Sequence, residues 1–219
     1  MTHHLKVFYG AAIQGAAERN KRAHINLNII ETIKSCGFAV ISEHTTGLDF
    51  NDTANKLEDA IGPLPPVGKE RTVFIRNKMI QFVESDISAA VFEVSTPSLG
   101  TGIEIAHAYL RPRLGLPTIP VIALYQNKFW PNKLSAMING ITEEKTPHFN
   151  LIEYDTPDDI PRLLKPVIYR LNESAPDSKK TSGRITARKC NYCGHHEVGV
   201  TTDTGEYVSL KPGMGVTII

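Results

Sequence analysis

Three cysteines in 219 residues are too few for a disulfide framework. No apolar run approaches the roughly 18–20 residues that span a bilayer. The N-terminal residues Met-Thr-His-His-Leu-Lys run straight into a strand-like segment, without a signal-peptide pattern. Neither sign of charge dominates: the formal net charge is +1, which leaves no basic field for nucleic acid. By elimination the chain reads as a cytoplasmic protein with no membrane and no nucleic-acid partner. Its composition, 41% hydrophobic and 21% charged, suits a soluble globular fold rather than a disordered one. The length fits one domain of ordinary size with an appendage.

Apolar strand-like runs alternate with helical patterns over the first three quarters of the chain. The runs at residues 5–9, 38–42, 89–94, 119–125 and 149–154 predict five strands. Between the first two, Ala23, Leu27, Ile30 and Ile33 fall three or four apart, which predicts a helix over 16–35. Gly37 is placed to end it. Residues 45–68 are polar and broken by Gly62-Pro63 and Pro65-Pro66, and predict a long loop around a short helix at 51–61. Further helices are expected over 70–84, from 102 to 109, over 134–141 and over 157–171, the last with proline near its first turn. This order implies an α/β, doubly wound fold of Rossmann or flavodoxin-like type, with a mostly parallel five-stranded sheet. Ligands of such sheets bind at the carboxyl ends of the strands, so the loops after Tyr9, Val94 and Tyr125 matter first.

The composition changes near residue 172. Residues 1–171 read as the α/β domain, 172–188 as a polar linker and 189–219 as a small β-rich appendage. No internal repeat of solenoid type is present. The appendage opens with Cys190-Asn-Tyr-Cys193-Gly-His-His196. Cys190, Cys193, His195 and His196 could hold a structural zinc, although a second Cys-x-x-Cys is absent. A β-turn with free thiols fits the same residues. Cys36, at a helix end, reads as a buried thiol.

The loop after the third strand reads Ser95-Thr-Pro-Ser-Leu-Gly-Thr-Gly-Ile-Glu104. Its glycines let backbone come close to a ligand, and the N–H groups at the following helix start favour an anion. Glu104 falls in the first turns of that helix. The residues alone support two readings: an anion site with a nearby carboxylate, or a capped turn whose glutamate complements the helix dipole.

Four stretches, in order, resemble the nucleoside 2-deoxyribosyltransferase superfamily, and most closely its 2′-deoxynucleoside 5′-phosphate N-hydrolases. They are Val7-Phe-Tyr-Gly-Ala-Ala-Ile-Gln-Gly15, Ser42-Glu-His44, Phe92-Glu-Val-Ser-Thr-Pro-Ser-Leu-Gly-Thr-Gly-Ile-Glu104 and Leu134-Ser-Ala-Met-Ile138. The likeness covers about residues 5–171. It implies that Glu104 attacks C1′ of a nucleoside 5′-monophosphate or nucleoside, with Tyr9 orienting it. It places Gly10, Ile13, Gln14, His44, Asn77, Ser98, Gly100 and Gly102 around the substrate, and Ser135 at the phosphate across a homodimer interface. No cofactor is implied for catalysis. Water would then resolve the glycosyl ester, or a second base in a deoxyribosyl transfer.

Two positions depart from the family pattern. Gln14 stands where the hydrolases carry an arginine, and Arg19 or Lys21 are the nearby substitutes. Asn77 is the nearest residue to a family aspartate on the helix before the third strand, and an amide cannot protonate a leaving base. Those departures support an alternative: a catalytically impaired nucleotide-binding or signalling module.

Overall fold

The structure is a computed structural model. It describes residues 5–13, 19–129, 133–142, 144–174, 183–189, 196–202 and 207–209, and from 171 onward the backbone alone. The strands β1 (Lys6–Ala11), β2 (Ala39–Ile41), β3 (Ala89–Glu93), β4 (Val121–Gln126) and β5 (Phe149–Tyr154) form one sheet. Its order is β2-β1-β3-β4-β5 and every pairing is parallel. The fold is therefore α/β and doubly wound, as expected, and the sheet is wholly rather than mostly parallel.

All of β3 is buried, and so is all of β1 except Lys6. Strands covered on both faces need apolar residues at odd and even positions alike, which is why these segments read as continuous runs. Val7, Tyr9 and Val91 pack on one face against α1 (Arg19–Ser35) and α6 (Asp159–Ser174). Phe8, Phe92 and Ala123 pack on the other against α3 (Lys69–Glu84) and α4 (Leu99–Tyr109).

The α1 helix forms where its periodicity predicts and ends at Gly37, whose φ of +89° suits glycine. Ala23, Ile30 and Ile33 of the expected stripe are buried, and the fourth residue is not. Leu27 is 41% exposed, while Ile25, Ile29 and two polar residues, Arg22 and Asn26, are buried. The helix turns this mixed stripe inward because Arg22 and Asn26 find buried partners across the strand ends.

The short helix expected at 51–61 is present, and the stretch around it carries more structure than a loop. A 3₁₀ turn spans Glu43–Thr46, and α2 spans Phe50–Ile61. Asp49 caps α2 by accepting from the Asp52 N–H at 2.8 Å. Thr53, Leu57 and Ile61 recur every four residues and form its buried stripe, with Leu57 and Ile61 packed against Met79 of α3. A short helix, α5 (Ala136–Asn139), precedes β5.

Past the sheet, α6 runs to Ser174, three residues into the expected linker. A second, antiparallel sheet of order β6-β7-β8 follows, from β6 (Gly183–Lys189), β7 (His196–Thr202) and β8 (Tyr207–Ser209). β6 also begins inside the stretch read as linker. Cys190, Cys193 and His195, three of the zinc candidates, lie outside the described residues, and His196 is described by its backbone only. No helix among the described residues is long and apolar enough to cross a membrane.

Candidate functional site at the β1/β3 switch point

The chain leaves β1 toward one edge of the sheet and β3 toward the other. At such a switch point adjacent loops part, and a crevice opens at the carboxyl ends of the strands. Gly10 ends the α4 side of β1, and the 95–104 segment leaves β3 into α4.

Ser98 caps α4, accepting from the Thr101 N–H at 3.3 Å. With its oxygen so occupied, its own proton remains available to a ligand. A side chain at Gly102 would meet nothing within 4 Å, and one at Gly100 only Ser98 Oγ at 3.7 Å. Packing within the chain therefore does not demand either glycine. Their effect is to leave the first turn of α4 bare, beside N–H groups without intrahelical partners.

Glu104 lies one turn further on. A Cβ at residue 10 would sit 2.8 Å from Glu104 Oε2 and 2.8 Å from the Phe92 ring, so glycine is what admits the carboxylate. Glu104 is half-buried and makes no hydrogen bond or ion pair with another described residue. Desolvation pushes its pKa up from 4.5 to about 7. The result is a carboxylate beside Gly10 at the carboxyl end of β1, unpaired among the described residues and close to half-ionised at neutral pH.

Tyr9 does not orient it. Side chains alternate across a strand, so Tyr9 faces α1 while Gly10 and Phe8 face α4. Tyr9 is fully buried and donates its hydroxyl to Asn26 Oδ1 at 2.8 Å; Asn26 in turn donates to the Thr45 carbonyl. Burial, and then the charge of Glu93, hold the phenol well above its usual pKa, which keeps it a donor. The expectation that Tyr9 works on Glu104 is corrected by one residue of strand phase.

The other expected site residues separate into near and far. Ile13 follows β1 and accepts from Arg19 Nη2 at 2.9 Å. Gln14 lies outside the described residues. Arg19 also donates to Thr53 Oγ1 at 3.1 Å and stacks on Phe50, 4.2 Å from the ring centroid. It thus ties the β1 loop to the start of α2. His44 sits in the 3₁₀ turn after β2, with Nδ1 3.1 Å from Ser42 Oγ. Burial pushes its pKa down to about 4, so the ring is neutral at pH 7. Asn77 is exposed on α3, accepts from Arg76, and lines an open groove with Ile80, Gln81 and Glu84. That groove of about 450 Å³ lies on α3 and includes no residue of the β1 or β3 loops, so it is not the crevice. Ser135 is the exposed cap of α5, next to Met137, which is 81% exposed.

A buried cluster beside the crevice is absent from the sequence reading. Glu93, 1% exposed, pairs with Arg22 of α1, 4% exposed. It also accepts from the Ser95 hydroxyl and, at 3.1 Å, from the Tyr154 hydroxyl. Burial opposes the charge of Arg22, but Glu93 outweighs it and holds the guanidinium above its ordinary pKa. The signal was an acid in the otherwise apolar run Ala-Ala-Val-Phe-Glu-Val: a charge in a buried strand requires a partner.

No family model matches the chain. Two curated proteins do, both bearing the name "Putative 2′-deoxynucleoside 5′-phosphate N-hydrolase 1". The one from Thermofilum pendens (strain DSM 2475 / Hrk 5) is 32% identical over 155 residues, covering 71% of this chain and 89% of that protein. The one from Syntrophotalea carbinolica (strain DSM 2380 / NBRC 103641 / GraBd1) is 30% identical over 161 residues, covering 74% and 92%.

The Glu104 environment predicts a stability effect. Its folded pKa, about 7, exceeds the ordinary 4.5, so the fold favours the protonated form. Stability is therefore lost as pH rises from about 4.5 to 7 and is level above. Glu104→Gln should gain about 1–3 kcal/mol at pH 8 and well under half of that at pH 5, by chemical denaturation. Equal gains at both pH values would show that the carboxylate is not desolvated.

Proposed function

The chain belongs to the 2′-deoxynucleoside 5′-phosphate N-hydrolases, within the nucleoside 2-deoxyribosyltransferase superfamily, and from that premise we propose that it hydrolyses a nucleoside 5′-monophosphate with Glu104 as nucleophile. The observation that carries this reading is the Glu104 carboxylate, held over Gly10 at the switch point without an ion pair to any other described residue.

In the proposed reaction, ionised Glu104 stabilises positive charge developing at the anomeric carbon and then bonds to C1′. The C1′–N bond breaks, its electron pair leaves with the base, and the base takes a proton. Water then attacks C1′ and releases a proton to solvent, which balances the one the base took up; the ester C–O bond breaks, and Glu104 regains its carboxylate as the sugar 5-phosphate leaves. The phosphate would sit on the bare first turn of α4, where the Ser98 hydroxyl and unpaired N–H groups donate to it. Arg19 is held by carbonyls and Thr53, so its charge would reach the phosphate only by leaving the β1 loop.

The test is release of free base from a panel of 2′-deoxynucleoside and ribonucleoside 5′-monophosphates, followed by chromatography. kcat/KM should rise with pH to a plateau above about 7, the pKa of Glu104. Glu104→Ala should lower it by at least about 10³-fold. No base from any nucleotide, or an unaffected alanine variant, overturns the reading. One observation favours an alternative: Asn77, the residue nearest the family aspartate on α3, is an amide and cannot protonate a leaving base. Calorimetric nucleotide binding without turnover would identify a binding module, and capture of the sugar by an added second base would identify a transferase.

We further propose a cytoplasmic homodimer. Leu99 and Ile103, one turn apart on α4, are 91% and 51% exposed, and Met137 beside Ser135 is 81% exposed. Apolar side chains left bare around a site are the usual mark of an interface. A second copy would cover them and carry its Ser135 to the phosphate. Sedimentation should find a dimer that Leu99→Asp with Ile103→Asp dissociates, with KM raised; a wild-type monomer contradicts it.

A further inference from the structure

The loop between β3 and α4 is held from below. Ser95 is 1% exposed, and its hydroxyl is used twice. It donates to Glu93 Oε1 and accepts from the Gln126 N–H at 2.7 Å. The Ser95 N–H also points to Glu93 Oε1, at 3.2 Å. With one proton given and one N–H taken, Ser95 has little left for a substrate.

Glu93 carries the load further. Its Oε1 also accepts from Tyr154 at the end of β5, and Oε2 pairs with Arg22 of α1. Arg22 donates to Gln126 Oε1 at 3.1 Å and stacks under Phe129, 4.7 Å from the ring centroid. One buried carboxylate thus fixes the exits of β3, β4 and β5 to the first turns of α1. All of these groups lie at the strand ends, on the α1 face of the sheet, while Glu104 lies on the α4 face.

We infer that Ser95, held by Glu93 and Arg22, is a positioning residue for the phosphate: it fixes the 95–98 turn so that Ser98 and the first N–H groups of α4 are aimed before the nucleotide arrives. The inference rests on the proposed nucleotide hydrolysis. A turn without this anchor would have to be ordered by the ligand, and binding would weaken by that amount. The pair also keeps the ground beneath a phosphate dianion neutral, because the Glu93 charge is met by Arg22. Base cleavage proceeds on the other face, at Glu104, and the anchor does not touch the reacting atoms.

The experiment compares wild type, Ser95→Ala and Ser95→Thr for KM and kcat on a nucleoside monophosphate, the inhibition constant of inorganic phosphate, and Tm. In Ser95→Ala, KM and the phosphate constant should rise together by about 10-fold, with kcat within about twofold. Ser95→Thr keeps the hydroxyl and should restore both. A merely structural role would lower Tm and leave the phosphate constant unchanged, and that result overturns the inference. So does a fall in kcat with phosphate affinity intact. If Ser95→Ala does not fold, Tyr154→Phe removes one donor to Glu93 at nearly constant volume. It should raise both constants about 2–5-fold, and no rise counts against the inference. A wild type that releases no base would instead overturn the hydrolase reading.

Discussion

The buried pair of Arg22 and Glu93 is the interaction on which the strand ends depend. Two charges at 4% and 1% exposure carry a desolvation penalty of several kcal/mol each, which pairing alone offsets incompletely. The hydroxyls of Ser95 and Tyr154, the Ser95 N–H and the Gln126 side-chain carbonyl offset part of that penalty by hydrogen-bonding the pair. Such a cluster specifies geometry more than it adds stability. An apolar replacement could fill the same space but would not dictate where the β3 exit, the end of β4 and the end of β5 stand relative to α1.

The second consequence is a division of labour between two glutamates eleven residues apart. Pleating sends Glu93 to the α1 face, where it is paired and hydrogen-bonded. The turn and a little over one turn of helix return Glu104 to the α4 face, over a floor of Gly10 and Phe92. There it has no described partner, and burial pushes it to about 7. One carboxylate is tied into the architecture, and the other is left without a partner among the described residues. The missing side chain of Gly10 joins the two, because a methyl group there would drive Glu104 from the crevice.

Much of this was legible in the sequence, for identifiable reasons. Strands buried on both faces, such as β1 and β3, show as apolar runs, and the half-buried β2 and β5 were apolar enough to be found with them. The sheet order was not readable, yet the alternation of strand and helix sufficed for the fold class. The loop at Ser95-Thr-Pro-Ser was found from its glycines and hydroxyls. What was missed depends on phase and on polar burial. Tyr9 and Gly10 differ by one residue, and only the pairing of the strands decides which faces Glu104. The apolar period of α1 picked out Ala23, Ile30 and Ile33 correctly but also Leu27, which is exposed, and it gave no sign that the polar Arg22 and Asn26 are buried. Around residues 45–68 the short helix at 51–61 was legible, but the 3₁₀ turn Glu43–Thr46 was not, because it is polar and has no apolar period.

The central claim is that Glu104 bonds covalently to the anomeric carbon. A covalent intermediate requires two displacements at C1′, and so net retention of configuration. Turnover of a β-configured nucleotide in aqueous methanol, with the methyl glycoside 5-phosphate examined by NMR, measures this directly. The account predicts the β-methyl product. An α-methyl product would mean a single displacement by solvent, and Glu104 would then be a base or an electrostatic stabiliser rather than the nucleophile.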